Sequence, residues 1–321
     1  MAIKTFAAID VGSFELELGI YELSGKYGIR EIDHVRHPLA LGKDTYNDGK
    51  ISHELVEEMC DLLNRFGEVM KTYRVQDYRA FASSALREAK NSQIVLDRIR
   101  VRTGLKVRTV NNSELRFKSY KAVAARETEF LEAQKIGMAL IDVGFGSSQI
   151  SLFDEGVLIS TQNLLLGVLR LSEMSSHWRV NNSLIPEIIE EIIDNELYTF
   201  KKIFLKERQI RTLIATGESI NYMVKRGMRE KERDRFTAEE FRAFCGRLEK
   251  MSLEEIEERF DLSRDYAEIL VPSAILYRNV LEITGAEWLW TPGITLCDGI
   301  AAEYAQENRI VEFHHDFDED I

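Results

Sequence analysis

The sequence predicts an α/β protein of two related domains that face one another across a cleft. Phe6-Ala7-Ala8-Ile9-Asp10-Val11-Gly12-Ser13 is a short apolar run ending in Asp, followed at once by a glycine turn with a hydroxyl residue. Met138-Ala139-Leu140-Ile141-Asp142-Val143-Gly144-Phe145-Gly146-Ser147-Ser148 repeats the pattern. The same order of strands and helices restarts behind the second copy, as in an internal duplication of a domain.

An apolar run of this length reads as a buried strand, with Asp at its end where the chain reverses into a hairpin. Gly12, Gly144 and Gly146 permit positive φ and close approach of backbone to a ligand. Backbone N–H groups in such a turn form a concave anion site. A neighbouring Asp suits Mg²⁺, which takes few carboxylates and leaves positions for water or phosphate oxygens.

In chain order, residues 4–10 and 16–23 read as the arms of the first hairpin, with a third strand from Tyr27 to His37. Asn47-Asp48-Gly49 signals a turn. Ser52 reads as an N-cap, and Glu54 to Tyr73 places Leu55, Met59, Leu62, Leu63, Phe66 and Met70 at helical spacing. A strand at 78–82, a helix from Ser92 to Thr103 closed by Gly104, a strand at 107–110 and a charged helix from Ser113 to Glu132 follow. Behind Met138 come strands at 149–153 and 157–163, helix over 184–205, and a strand at 211–215 entering Thr216-Gly217-Glu218-Ser219. Thr237 to Phe260 reads as helix with a second cap at Ser252. A helix from Val271 to Thr284, a strand at 288–290 and a helix starting near Asp298 complete the body. Domain limits are set at 1–128 and 129–310, with the helix at 298–310 able to pack back on the first domain. The stretch 125–135 reads as the hinge, and residues 311–321 as an acidic, frayed tail.

Hydrophobic residues make up 45% and charged residues 30% of the 321, enough for a substantial core under a solvated surface. The formal charge of -12 argues against a nucleic-acid-binding surface, though not against a small basic cleft. Cys60, Cys245 and Cys297 are scattered and without CxxC spacing, which fits a reduced cytoplasmic protein with neither disulfides nor a zinc site. No apolar run approaches the ~18–20 residues a membrane-spanning helix requires, so no membrane partner is expected.

Five segments together resemble the exopolyphosphatase / guanosine pentaphosphate phosphohydrolase (Ppx/GppA) family. They are Ala8-Ile9-Asp10-Val11-Gly12-Ser13, Ala82-Ser83-Ser84-Ala85-Leu86-Arg87-Glu88-Ala89-Lys90-Asn91, Ile141-Asp142-Val143-Gly144-Phe145-Gly146-Ser147-Ser148, Leu166-Gly167-Val168-Leu169-Arg170-Leu171 and Ile214-Ala215-Thr216-Gly217. The second is the most specific of them. The resemblance runs from about Lys4 to Tyr304 and implies two duplicated ribonuclease H-like (actin-like ATPase) domains with a central cleft. It implies hydrolysis of the terminal phosphoanhydride of polyphosphate or of a guanosine pentaphosphate, with Mg²⁺ as cofactor, and it admits a homodimer. Ser13, Gly144, Gly146, Ser147 and Ser148 would hold the phosphoryl group, Asp10 and Asp142 the metal, and Arg87 would balance charge. A carboxylate would orient or deprotonate the attacking water.

The departures are specific. The family's first loop reads Gly-Ser-Asn-Ser, with an arginine two residues on; here it reads Gly12-Ser13-Phe14-Glu15-Leu16-Glu17. Each carboxylate beside a polyanion is unfavourable by roughly a kcal/mol or more. Glu15 and Glu17 as solvent-facing hairpin residues would leave the cleft less altered. Phe145 replaces the middle of three glycines, and with Phe14 could plug the site. The run Val110-Asn111-Asn112-Ser113-Glu114-Leu115-Arg116 places Glu114 on the first family glutamate and Leu115 on the second, the one assigned to catalysis. Either Glu114 substitutes as the base through a one-residue shift, or hydrolysis is weak or lost. The latter would make the chain a pseudoenzyme that binds a phosphorylated ligand or a protein. Arg170 reads as support for the second turn, Thr216-Gly217 as a strand-helix turn or a nucleotide-side turn, and His314-His315 as part of the solvated tail.

Overall fold

The computed structural model describes residues 3–124, 127–177, 185–206, 208–228 and 233–311. The chain forms two compact units. One holds the chain up to residue 124 and again from Thr295; the other holds the intervening chain to Ile294.

In the first unit, β1 (Lys4–Val11), β2 (Glu15–Ser24), β3 (Gly28–Pro38), β4 (Asp77–Ala82) and β5 (Val107–Thr109) form a sheet ordered β3-β2-β1-β4-β5. β1 runs antiparallel to β2 and parallel to β4. Alternate residues of β1 feed two cores, so the sheet is covered on both faces. Ala7, Ile9 and Val11 meet α1 (Leu41–Asp48), α2 (His53–Thr72) and α4 (Ser92–Thr103) on one face. Phe6 and Ala8 meet α5 (Asn112–Ala124) and the last helix, α13 (Leu296–Glu307), on the other. The short α3 (Ser84–Glu88) follows β4.

The second unit repeats the plan behind α6 (Glu127–Ile136). Its strands β6 (Met138–Val143), β7 (Ser148–Asp154), β8 (Val157–Leu164), β9 (Thr212–Thr216), β10 (Arg235–Thr237) and β11 (Trp288–Trp290) are ordered β10-β11-β9-β6-β7-β8. β6 is antiparallel to β7 and parallel to β9, as β1 is to β2 and β4. Its helices are α7 (Val168–His177), α8 (Ile185–Phe200), α9 (Glu218–Tyr222), α10 (Ala238–Leu248), α11 (Leu253–Phe260) and α12 (Arg264–Thr284).

Local signals explain most boundaries. The Ser52 hydroxyl accepts the Leu55 N–H at the start of α2, and Gly104 ends α4 in the left-handed region. Capping boxes open α10 (Thr237 with Glu240), α11 (Ser252 with Glu255) and α13 (Thr295 with Asp298). Elsewhere the structure differs from the sequence reading. The Asn47-Asp48-Gly49 signal is the end of a helix, α1, that the pattern did not reveal; Gly49 closes it in the left-handed region. Of the helix expected over 113–132, the described residues are helical over Asn112–Ala124 and again from Glu127, which takes in the hinge stretch from that residue on. α12 starts at Arg264 rather than Val271 and carries Pro272 inside it, because burial of Tyr266, Ala267, Ile269 and Leu270 outweighs the lost proline N–H. β10 was not foreseen; it pairs antiparallel with β11. The tail from residue 312, with His314-His315, lies outside the described residues.

α13 returns to the first unit. Tyr304 stacks on Phe6 with ring centroids 4.1 Å apart and donates its hydroxyl proton to Asp77 at 2.6 Å. Arg79 pairs with Glu303 at 3.3 Å and also with Glu307. Lys118 of α5, almost wholly buried, pairs with Glu303 as well. Gly299 is where α13 meets α5: a Cβ there would lie 2.2 Å from the Lys118 carbonyl oxygen.

Glu15 and Glu17 are both buried, at 2% exposure, not solvent-facing hairpin residues. Glu17 lies directly opposite Arg36 across β2–β3, whose guanidinium stands 3.7 Å away, and 3.2 Å from His34 Nε2. His34 also contacts Glu31 at 3.2 Å. Burial pulls the His34 pKa down, but its hydrogen bonds to Glu17 and Glu31 outweigh burial and raise it to about 9. Burial works to raise the Glu17 pKa; the His34 hydrogen bond and the Arg36 charge lower it on balance.

Two outcomes follow from this packing. Gly299→Ala should destabilise the chain by about 1–3 kcal/mol in chemical unfolding, because the obstructing atom is backbone and the helices must part. His34, raised above its unfolded value of 6.5, contributes stability in full below about pH 6.5 and loses it as pH rises through about 9. Glu17, lowered below 4.5, contributes above that value and loses it on acidification. Unfolding temperature should therefore decline between pH 6.5 and 9.5 in the wild type and decline less in His34→Gln; parallel profiles would refute the pairing.

Candidate active site: two equivalent glycine turns

Each unit bends its first hairpin with the same hydrogen bonds. The Gly12 N–H donates to the Glu15 carbonyl at 2.9 Å, and the Gly144 N–H to the Ser147 carbonyl at 3.0 Å. The segment after the third strand then takes further carbonyls of the turn. In the first unit, Gly42 N–H donates to Ser13 O at 2.6 Å and Leu39 N–H to Phe14 O at 2.7 Å. In the second, Val168 N–H reaches Gly144 O at 3.2 Å and Leu169 N–H reaches Phe145 O at 3.0 Å. Arg170 Nε donates to Gly146 O at 2.7 Å, so this arginine supports the turn.

A trans peptide points its C=O and N–H in opposite directions. With the carbonyls drawn toward α1 and α7, the amides of Phe14 and Glu15, and of Phe145, Gly146 and Ser147, face the other way. That is an anion-binding arrangement of successive N–H groups. Gly167 permits the close seat of α7: a Cβ there would fall 2.2 Å from the Gly146 carbonyl carbon.

Asp10, next to last in β1, lies opposite Glu17 and beside Phe81; Asp142, next to last in β6, lies opposite Gln149 and beside Thr216. Asp142 is buried and Asp10 half-buried. Both offer hard carboxylate oxygens at matching strand ends, a donor type that fits Mg²⁺. Glu17 directly opposite Asp10 sets two carboxylates face to face, which is unfavourable unless compensated. His34 and Arg36 supply that compensation.

The other expected site residues have definite partners. Ser13 Oγ lies 3.0 Å from Ser84 Oγ, 3.4 Å from Ser83 Oγ and 3.0 Å from the Tyr46 hydroxyl. Ser147 is buried beside its turn, and the Ser148 hydroxyl donates to the Leu166 carbonyl. Phe14 is fully buried, whereas Phe145 is half-buried. Arg87 donates to the Val110 carbonyl at 2.7 Å and to Asn112 Oδ1 at 2.8 Å, and stands 3.2 Å from Glu88. It thus braces the 110–112 loop. Glu114 pairs with Arg108, and its carboxylate lies 3.9 Å from Lys118 Nζ. It lines a cavity of about 670 Å³ with Tyr78, Arg79, Lys106 and Arg108, apart from the hydroxyl cluster at the first turn. Leu115 is core, packed with Phe81, Val110 and Ile300.

Sequence reasoning passed over Tyr46 and the carbonyl-gripping segment 39–42. The signal was present: Leu39-Ala40-Leu41-Gly42 follows β3 as Leu166-Gly167-Val168-Leu169 follows β8. Among the described residues no helix is long and apolar enough to cross a membrane. All three cysteines are buried thiols.

Comparison with known proteins bears on the fold and the family. Exopolyphosphatase 1 of Mycobacterium tuberculosis is 26% identical over 143 residues, which is 44% of this chain and 40% of that protein's length. The chain thus aligns with about two fifths of that relative. In structure, an exopolyphosphatase of Cytophaga hutchinsonii superposes with a TM-score of 0.82 at 16% identity, covering 96% of this chain and 99% of that one. A Ppx/GppA family member of Aquifex aeolicus gives 0.76 at 18% identity over 96% and 99%. These likenesses establish the two-domain, actin-like α/β fold. The Ppx/GppA phosphatase family matches residues 24–305, and this chain belongs to that family.

Proposed function

We propose that the chain is a phosphohydrolase that removes the terminal phosphate from polyphosphate or a guanosine pentaphosphate-like nucleotide. The observation that supports this most directly is the duplicated turn whose carbonyls are drawn away by a following helix, leaving its amides directed together. Such amides stabilise charge on phosphoryl oxygens without reorganising, which is most of what phosphoryl transfer asks of a protein. The N–H groups of Phe145, Gly146 and Ser147, and those of Phe14 and Glu15, are assigned to hold phosphoryl oxygens. Asp10 and Asp142 would hold Mg²⁺, which when bound neutralises charge on the phosphate oxygens.

Glu114 is the candidate base. To take a proton from water it must leave its ion pair with Arg108. Arg87 acts on the site through the 110–112 loop that precedes Glu114, not as a free phosphate clamp. A second reading has its own support: Leu115 in the core and Glu114 in an ion pair describe a relative that binds a phosphorylated ligand without turning it over.

Phosphate release from polyphosphate and from guanosine pentaphosphate, measured with Mg²⁺, separates the two. On the hydrolase reading, Asp142→Asn and Glu114→Gln each lower the rate by about 10²-fold or more. Absence of release together with ligand-dependent thermal stabilisation would establish the binding reading instead. Release that neither substitution alters would overturn the site assignment.

A further inference from the structure

We infer that Tyr46 is a positioning residue that sets how many hydroxyl protons the first turn can offer an anion. The inference rests on the reading of that turn as phosphoryl-holding. The Tyr46 hydroxyl donates to Ser13 Oγ at 3.0 Å and stands 2.9 Å from Ser84 Oγ. Ser13 and Ser84 are themselves 3.0 Å apart. The three hydroxyls close a ring.

Three hydroxyls carry three protons, and the ring has three contacts. Since the Tyr46 proton goes to Ser13, the Ser84 proton goes to Tyr46 and the Ser13 proton to Ser84. Run in reverse, the ring consumes the same three. Ser13 Oγ also accepts the Ala85 N–H at 3.2 Å, which occupies its second lone pair. A phosphoryl oxygen is an acceptor and needs a donor. While the ring stays closed, Ser13 and Ser84 have no proton for it, and anion binding there falls to the backbone amides and to Ser83, whose hydroxyl stands outside the ring, 3.4 Å from Ser13 Oγ. Tyr46 lies on α1, whose first turn also draws away the Ser13 carbonyl through Gly42. One helix therefore orients both the Phe14 amide and the Ser13 hydroxyl of this turn. The second turn has no such ring: Phe145 occupies the position equivalent to Ser13.

Removing one ring member frees one proton. Within the ring, Tyr46→Phe leaves two serine protons and the one contact between Ser13 and Ser84; Ser84→Ala leaves the Ser13 proton unspent by the ring. Both variants should bind Mg²⁺-tripolyphosphate more tightly than wild type, on the order of three- to tenfold, the range one neutral hydrogen bond spans. A merely structural role for Tyr46 would loosen the turn and move affinity the other way. The measurement is calorimetric titration of wild type, Tyr46→Phe, Ser84→Ala and Asp142→Asn. Tighter binding by both ring variants supports the inference; Ser84→Ala keeps it testable if Tyr46→Phe fails to fold. Wild-type binding that Asp142→Asn weakens but Tyr46→Phe leaves unchanged or reduces overturns the role of Tyr46 and spares the turn. Failure of the wild type to bind overturns the phosphoryl-holding reading, and this inference falls with it.

Discussion

The hydrogen bonds between each hairpin turn and the chain behind its third strand govern the rest of the site. A tight turn carries carbonyls as well as amides, and carbonyls repel a phosphate. Leu39 and Gly42 in one unit, and Val168, Leu169 and Arg170 in the other, take up those carbonyls. Planarity of the peptide then aims the amides the other way. The position of the helices after β3 and β8 is thus a condition for the chemistry of the turns, and Gly167 is the residue that lets α7 come close enough.

Charge imposes a second condition. The first turn is followed by two buried carboxylates, in a chain whose formal charge is already -12. A buried carboxylate without a counter-charge is strongly unfavourable. β3 supplies the counter-charges for Glu17, with His34 and Arg36 on the neighbouring strand. The position that departs furthest from the family's cationic pattern is therefore compensated inside the sheet, and its charge is directed at β3.

α5 shows the limit of aligning residues one against another. Glu114 and Leu115 are adjacent, and adjacent residues on a helix point about 100° apart. The face that carries Leu115 packs on Phe81, Val110 and α13, so a carboxylate at 115 would be buried among apolar groups. The face that carries Glu114 meets Arg108 and Lys118. Whether Glu114 acts as a base depends on breaking that pair, a matter of tertiary contacts that no linear alignment displays.

The sequence by itself determined the duplicated strand-Asp-Gly pattern, the hairpin strands around each turn and the capped helices α2, α4, α10 and α11, because these rest on local periodicity and turn chemistry. It could not show α1, whose short pattern resembles a loop, nor the entry of α12 through Pro272, where burial overrides a local preference. Only the tertiary structure decided that Glu17 faces His34 and Arg36, that Arg87 braces the 110–112 loop, and that Tyr46 closes a hydroxyl ring with Ser13 and Ser84. Each of these joins residues from 17 to 71 positions apart or on different elements. Their energies depend on distance and orientation in space, which residue identity and spacing do not carry.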